Sequence, residues 1–231
     1  MPLDTSYKND LLRSIPSDSL ERLRPNLELY DIGADARLYR ANDKIRYIYF
    51  PENSIISILA TSEEGQTTEI AIVGHEGAVG LDVVMGAESL PHDFLVQMPG
   101  SAYRISAEAM RAEFDACTDA QSPLLRFVQK LMVQISQTTL CNRVHRVDER
   151  LARWLLMCHD RAEGDTLRLT QEFLAMMLGV ARVSVTLAAS ELQSNRHIKY
   201  SRGTIEILDR NSLEKMSCEC YRTVKDEYDR D

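Results

Sequence analysis

Hydrophobic residues recur at helical spacing on both sides of a single glycine in residues 169–192. Before Gly179, the apolar positions are Phe173, Leu174, Met177 and Leu178. After it, they are Val185, Ala188, Ala189 and Leu192. These intervals place each set on one face of a helix, and glycine enters a left-handed turn without steric cost. The segment therefore predicts two short helices joined by a tight turn.

Polar residues mark the start of the first helix and the outer face of the second. Thr170 is a common N-cap residue, and Glu172 in the first turn suits the positive end of the helix dipole. The outer face of the second helix carries Val183, Thr186, Leu187 and Ser190, with Arg182 at its N-terminal end. Such a face would enter the DNA major groove, although similar helix pairs occur in all-α proteins that do not bind DNA.

Two short runs of alternating apolar and polar residues follow the second helix. Residues 198–200 and 204–208 flank Ser201-Arg202-Gly203, which predicts a β-hairpin. Two helices followed by a hairpin are typical of a winged helix. Lys199 and Arg202 lie where phosphate contacts are expected, although a basic hairpin is also an ordinary solvated edge.

The first half of the chain has a different periodicity. Residues 6–24 predict short helical segments that break at Pro16 and end near Pro25. Seven short β runs follow, at residues 27–30, 37–39, 45–50, 55–60, 68–73, 94–97 and 102–105. Strands at this spacing predict a small sandwich or barrel, so the fold class is α+β.

A longer helix is predicted between the two halves, starting at residues 120–123 with Pro123 in its first turn. Apolar residues then alternate at spacings of four and three, which is the seam of a two-stranded coiled coil. The predicted dimer interface consists of Leu124, Val128, Leu131, Ile135 and Thr138. The alternative is a helix packed on its own β domain, for which Leu125, Phe127 and Met132 would serve equally well.

A further helix is predicted over residues 147–160, with Trp154 in its core-facing stripe. Its start is basic, with Arg143, Arg146, Arg150 and Arg153 near Asp148 and Glu149. This strip suits phosphate contact and an ordinary salt-bridged surface about equally well.

The net charge of the 231-residue chain is −8, which by itself does not indicate a DNA-binding protein. The distribution changes that interpretation. Residues 143–210 contain 11 Lys and Arg against 9 Asp and Glu, so the acidic excess lies elsewhere in the chain. Local charge is what attracts DNA, so the second half remains a candidate for DNA binding.

Residue types that carry chemistry are sparse. Five cysteines, an odd number, indicate reduced thiols and not a disulfide framework. Cys218 and Cys220 invite a metal site with Cys158 and His159, but one Cys-x-Cys without a second pair is a weak signal. We therefore expect no metal, no cofactor and no enzymatic activity, since no catalytic motif is present. With no apolar run of membrane length and no signal-like N-terminus, the expected location is the cytoplasm.

Residues 170–192 and the hairpin resemble the C-terminal winged helix of the Crp/Fnr family of bacterial transcription regulators. The most specific segments are LTQEFLAMMLGV and YSRGTIEILD, and the order of parts extends the resemblance over roughly residues 20–220. It implies a double-stranded β-helix of the cyclic-nucleotide-binding type (1–120), a dimerisation helix (121–141), a winged helix-turn-helix (142–211) and a tail helix (212–231). It also implies a homodimer on double-stranded palindromic DNA, with RNA polymerase as a candidate partner.

The resemblance assigns roles to residues of the winged helix. Arg182 is the candidate base contact, and Ser184 and Thr186 would reach phosphates or base edges. Thr170 and Gln171 would hold the DNA backbone, as would Lys199 and Arg202 of the hairpin. Val183 and Leu187 stand where the cyclic-AMP-responsive members carry an acid and a second Arg. They can contact thymine methyls, which predicts a more A·T-tolerant half-site.

The sensor half departs from the family's nucleotide-binding pattern. No Lys or Arg occurs between Tyr47 and Tyr103, whereas phosphate recognition normally draws on such a charge. We therefore expect no cyclic-nucleotide binding, and the cofactor-binding residues and effector stay unassigned. The alternative function is a sensor or adaptor dimer that works through protein contacts with a winged helix that no longer reads DNA.

Overall fold

The computed structural model describes residues 7–230. They form two compact units. One comprises the residues up to Ile58 together with Val73–Leu131, and the other comprises Leu59–Ile72 and the residues from Met132 onward. The first residue of the helical prediction and most of the N-terminus judged for a signal peptide lie outside the described residues.

The N-terminal unit begins with α1 (Asp10–Ser14) and α2 (Ser17–Leu23). Asn9 holds α1 in place, since its side-chain oxygen accepts from the Leu12 amide and its side-chain nitrogen donates to two carbonyls of the unit. The strands of the first half of the chain are β1 (Glu28–Ile32), β2 (Arg37–Tyr39), β3 (Tyr47–Pro51), β4 (Ile55–Thr61), β5 (Thr67–Val73), β6 (Asp93–Met98) and β7 (Gly100–Ser106). Leu59–Ile72, which includes the end of β4 and most of β5, belongs to the other unit. All seven predicted strands are present, with bounds within two residues of the prediction.

These strands form two sheets, ordered β1-β7-β3 and β2-β6-β4-β5. In the first, β7 pairs antiparallel with both neighbours, and Ile48 lies opposite Ile105. Both side chains are almost fully buried, as are Phe50 and Phe94. Burial does not alternate strictly, since Ile55–Leu59 of β4 and Phe94–Gln97 of β6 are buried without a break, and both sheets contribute side chains to the apolar core. Helix α3 (Ala107–Asp115) follows β7, capped by the Ser106 hydroxyl.

Helix α4 (Gln121–Val144) corresponds to the predicted dimerisation helix but presents a different face. Leu124 is fully buried, so its place in the predicted dimer seam is wrong. Phe127 is buried too, whereas Leu125 and Met132 are 46% and 63% exposed. The half-buried Val128, Leu131, Ile135 and Thr138 lie between these extremes. The first turn of α4 is buried in the N-terminal unit. The exposed apolar stripe of the helix therefore begins at Leu125 and not at Leu124.

The C-terminal unit is a helical domain with a small sheet. Its elements are α5 (Val147–His159), β8 (Thr166–Arg168), α6 (Gln171–Leu178), α7 (Arg182–Ser194), β9 (Ile198–Ser201), β10 (Thr204–Ile207), α8 (Arg210–Met216) and α9 (Glu219–Tyr228). The sheet order is β8-β10-β9, so the predicted hairpin gains a third strand that the sequence analysis missed.

Helix α5 is the centre of this unit. Leu151 and Leu155 are fully buried, and the Trp154 indole donates to the Glu69 carboxylate at 2.7 Å, so the predicted core role of Trp154 is confirmed. The predicted basic strip is divided: Arg143 and Arg146 are exposed, whereas Arg150 and Arg153 are only 8% and 5% exposed. Arg150 and Arg153 lie on the same helical face as the core residues, which places their guanidinium groups inside the unit.

Candidate nucleic-acid interface

Helix α6 begins as the sequence predicts. The Thr170 hydroxyl accepts a hydrogen bond from the Phe173 amide at 3.1 Å, which satisfies one of the free donors of the first turn. Gly179 ends the helix in the left-handed conformation, with φ 61° and ψ 40°. Helix α7 starts three residues later, at 106° to α6. The two helices and their tight turn therefore have the predicted helix-turn-helix arrangement.

The two faces of α7 differ in burial. Val185, Ala188, Ala189 and Leu192 are buried, as the apolar periodicity predicts. On the opposite face, Val183 and Leu187 are 65% and 68% exposed. Ser184 and Thr186 are half-buried, and Arg182 is exposed. Val183 and Leu187 lie one helical turn apart, so together they form a small apolar patch on the exposed face of α7.

Polar contacts fix the start of α7 against the start of α6. The Gln171 side-chain oxygen accepts from the Thr186 hydroxyl at 3.1 Å and lies 3.5 Å from Nε of Arg182. The Glu172 carboxylate pairs with the Arg182 guanidinium at 2.5 Å. The Arg182 side chain is thus oriented before any ligand binds. This surface ion pair is weak because both groups are well exposed.

The start of α6, the start of α7 and the hairpin surround one concave surface. It is lined by Thr170, Gln171, Glu172, Arg182, Tyr200, Arg202 and Gly203. Four of the nine predicted DNA-contacting residues line it. The remaining five are Val183, Ser184, Thr186 and Leu187 on α7, and Lys199 on β9, which pairs with Glu206 at 3.8 Å.

Tyr200 lines this surface and was not predicted as a site residue. Its hydroxyl donates to the Leu169 carbonyl at 3.1 Å, so it ties β9 to the residue before the helix-turn-helix. Burial raises the pKa of this hydroxyl, and nearby Glu172 acts in the same direction. It stays a neutral donor at physiological pH. An aromatic residue next to a basic hairpin turn was the available sequence signal.

The cysteines group differently from the sequence proposal. Cys218 and Cys220 lie with Cys141 and His145, and not with Cys158 and His159. His159 instead contacts Asp165 at 2.8 Å and Arg210 at 2.6 Å. The overlooked signal is the spacing Cys-x-x-x-His in residues 141–145, which puts both side chains on one side of a helix end.

Among residues 7–230, no individual helix has the length and hydropathy of a membrane span. Only α6 and α7 combined would reach that length with that composition. They are bent by 106° and carry the buried stripes of the helix-turn-helix.

Comparison with known proteins agrees with this geometry. Residues 149–216 match the family model of the Crp-like helix-turn-helix domain. No curated protein sequence matches the chain. The C-terminal unit therefore contains a helix-turn-helix domain of the Crp type.

Solved structures match the chain over most of its length. FixK2 from Bradyrhizobium japonicum has a TM-score of 0.71 at 15% identity, covering 83% of this chain and 98% of that protein. A protein from Eubacterium rectale, described as a regulator of the Crp/Fnr family, has a TM-score of 0.71 at 17% identity, covering 89% and 96%. TTHB099, a CRP-family transcriptional regulator from Thermus thermophilus, has a TM-score of 0.68 at 15% identity, covering 82% and 96%.

These likenesses extend over both units and share the order of a β domain, a long helix and a helix-turn-helix. At such low identity they establish the fold, and the family model establishes the type of the C-terminal domain. Residues 149–216 thus belong to the Crp-like helix-turn-helix domain family, and the chain as a whole has the fold of the Crp/Fnr structures, so the predicted resemblance and fold class are confirmed.

Proposed function

We propose that the protein is a homodimeric transcription regulator that binds a palindromic DNA site with α7 in the major groove. The observation that carries this proposal is the concave surface on which Thr170, Gln171, Arg182 and Arg202 meet. A helix-turn-helix contacts base edges with the first residues of its second helix, while the preceding helix contacts the backbone. The two ends of this surface correspond to these two kinds of contact.

Arg182 is the proposed base-reading residue. It is exposed at the first position of α7, and its guanidinium has the fork geometry that binds O6 and N7 of guanine. Gln171 and Glu172 hold the side chain in place. On DNA, the Glu172 pair would be exchanged for a guanine contact, while Ser184 and Thr186 reach neighbouring positions and Lys199 contacts phosphate.

Val183 and Leu187 give the proposed half-site its base preference. Their exposed side chains can pack on thymine methyl groups but form no hydrogen bond to cytosine or guanine. The half-site is therefore expected to tolerate A·T pairs at the positions under these residues.

The proposed dimer forms along α4. Its exposed or half-buried apolar side chains at Leu125, Val128, Met132 and Ile135 follow spacings of three and four, as a coiled-coil seam does. This seam retains Val128 and Ile135 from the sequence prediction. A two-fold dimer would set two recognition helices about 34 Å apart, in successive major grooves.

The β domain is proposed to work without a cyclic nucleotide. Residues 48–102 contain acids and no Lys or Arg, so an anionic phosphate would meet no cation from this segment. We further infer that the regulator acts in the cytoplasm, with RNA polymerase as a candidate partner at promoters. Calorimetry with cyclic AMP and cyclic GMP is expected to give no binding heat.

A second candidate function is an adaptor that docks a protein on the same face. The exposure of Val183 and Leu187 favours the adaptor, because exposed apolar side chains also suit a protein interface.

Salt separates the two functions. DNA binding displaces counterions, so its affinity falls steeply as salt rises, whereas an apolar interface responds little. The experiment is a fluorescence-anisotropy titration of labelled duplex with the full chain between about 50 and 200 mM salt, a range over which several phosphate contacts together lose orders of magnitude in affinity. Binding that weakens at least about tenfold across this range supports DNA recognition. Failure to bind any duplex at the lower salt favours the adaptor.

A further inference from the structure

Four side chains with metal-binding atoms converge inside the C-terminal unit. Cys141 and His145 lie at the end of α4, and Cys218 and Cys220 lie at the start of α9. Their three sulfur atoms and one imidazole nitrogen all lie within 4.8 Å of one another. The three cysteines are buried, and only 13% of the His145 side chain is exposed. We call these four residues the Cys3His cluster.

The spacing inside the cluster fits a tetrahedral ion. Sγ of Cys141 lies 3.5 Å from Sγ of Cys218, and Sγ of Cys220 lies 3.5 Å from Nδ1 of His145. In a tetrahedral zinc site with Zn–S bonds of about 2.3 Å, ligand atoms lie about 3.8 Å apart. The two pairs therefore lie at nearly the separation that an ion would impose.

Two side chains next to the Cys3His cluster, Glu219 and Gln137, favour metal binding by His145 and Cys220. The Glu219 carboxylate lies 3.2 Å from Nε2 of His145, which favours the proton on Nε2 and leaves Nδ1 free to ligate. A carboxylate behind a ligating histidine is a common feature of zinc sites. The Gln137 amide also donates to Sγ of Cys220 at 3.1 Å, a contact that suits a thiolate.

The two buried arginines Arg150 and Arg153 favour a negatively charged group in the same unit. The guanidinium of Arg150 donates to Asn142 and to the Leu178 carbonyl, and that of Arg153 donates to the Thr138 hydroxyl. These acceptors are neutral, and one nitrogen of each buried guanidinium has no hydrogen-bond partner. Buried cations are costly unless a negative group lies nearby. Three cysteine thiolates around a divalent ion carry one net negative charge.

Reduced thiols packed as small apolar groups are the simpler explanation for three buried cysteines. That explanation does not account for the contact between His145 Nδ1 and Sγ of Cys220. It also does not account for the burial of Arg150 and Arg153 in the same unit. A Cys141–Cys218 disulfide would use two of the four donors and leave Cys220 and His145 without a role.

We propose that Cys141, His145, Cys218 and Cys220 together bind one Zn²⁺ ion. Each thiol loses its proton to solvent when the ion binds, and the imidazole ligates through Nδ1. All four positions are filled by the protein, which is the pattern of a structural site. The ion would join two segments 77 residues apart, the end of α4 and the start of α9.

Metal content of the full chain is the first test. Protein purified without chelator is measured by inductively coupled plasma mass spectrometry, and we expect about one zinc per chain. After zinc removal under reducing conditions, Co²⁺ is added as a probe. The expected result is the intense visible bands of tetrahedral cobalt together with sulfur-to-cobalt charge transfer.

Substitutions identify the ligands. Cys220→Ser and His145→Gln are expected to lower zinc content at least tenfold, whereas Cys117→Ser, at an exposed cysteine outside the cluster, keeps one zinc per chain. Glu219→Gln keeps all four ligands and is expected to weaken zinc affinity about 10- to 100-fold in competition with a chromogenic chelator.

A measurement on the wild-type chain tests the proposal even if the variants misfold. Chelation is expected to lower its melting temperature, and added Zn²⁺ to restore it. The proposal is overturned by substoichiometric zinc without a tetrahedral cobalt spectrum. It is equally overturned by iron and labile sulfide in the purified chain, or by a Cys141–Cys218 disulfide found by mass spectrometry under non-reducing conditions.

Discussion

Charged side chains have different partners on the outer surface of the C-terminal unit and in its interior. On the outer face, Arg182 and Lys199 are exposed and pair with Glu172 and Glu206 across the surface. On the inner face, Arg150 and Arg153 are buried beside the cysteines and donate to neutral acceptors. Charges that exchange partners easily suit reversible DNA contact, whereas buried charges fix a structure. The proposed recognition surface and the proposed metal site thus divide binding and stability between two faces.

Burial on α7 should produce the largest contrast. Leu192→Ala removes a fully buried side chain and is expected to lower the free energy of unfolding by about 2–5 kcal/mol. Leu187→Ala, on the exposed face of the same helix, should change it by less than about 0.5 kcal/mol. Urea unfolding followed by fluorescence of Trp154, the one tryptophan in the chain, reports on this unit. Equal losses from both variants would mean that α7 does not present Leu187 to solvent.

Arg182 and Lys199 should differ in the kind of binding that they support. Arg182→Ala is expected to cost about 1–3 kcal/mol on the selected DNA site and little on random duplex. Lys199→Ala should weaken binding to both duplexes alike, because Lys199 contacts phosphate. It should also reduce the slope of log affinity against log salt by about one. Anisotropy titrations on both duplexes measure this. The same loss on both duplexes from Arg182→Ala would remove its base-reading role.

The turn between α6 and α7 should be sensitive to a side chain. Gly179→Ala places a Cβ in a left-handed conformation and 2.9 Å from Oγ1 of Thr68, so it should cost more than about 1–2 kcal/mol of stability. Gly164→Ala is the matched control, since Gly164 is also left-handed but has open space around it. Urea unfolding compares the two, and an equal cost would show that the Thr68 contact has no energetic weight.

The smallest effect is expected at Glu172. Glu172→Gln removes the ion pair with Arg182 and one negative charge from the concave surface. Stability should change by less than about 1 kcal/mol, because the pair is exposed. Affinity for duplex should rise slightly, most at low salt, as repulsion of phosphate falls. Lower affinity together with a loss of the Arg182-dependent specificity would contradict this expectation, because it would mean that Glu172 orients Arg182 on the DNA.

The sequence predicted the outer face better than the inner one. Helices α6 and α7, Gly179 and the hairpin are encoded in one stretch of about 40 residues, where local periodicity and turn chemistry suffice. The Cys3His cluster joins segments 77 residues apart, and helical spacing alone does not reveal such a contact. The buried Arg150 and Arg153 were taken for a surface strip because charge normally marks solvent.

Packing also decided the details of α4 and of the small sheet. A heptad pattern gives the spacing of a seam but not which of two adjacent apolar stripes is buried, and so Leu124 was misassigned. Strand β8 has only three residues, Thr166–Arg168, and pairs with β10. A run this short carries no alternation that a sequence pattern can detect. The inclusion of Leu59–Ile72 in the C-terminal unit likewise depends on tertiary structure.

The most direct test of the DNA-reading dimer is selection from a random duplex library by the purified, ligand-free full chain near physiological salt. We expect a two-fold symmetric motif whose half-sites lie about one helical turn, 10–10.5 base pairs, apart. We also expect tolerance of A·T pairs opposite Val183 and Leu187. Absence of any enriched motif, or an asymmetric motif that fits one winged helix, would contradict the DNA-reading dimer.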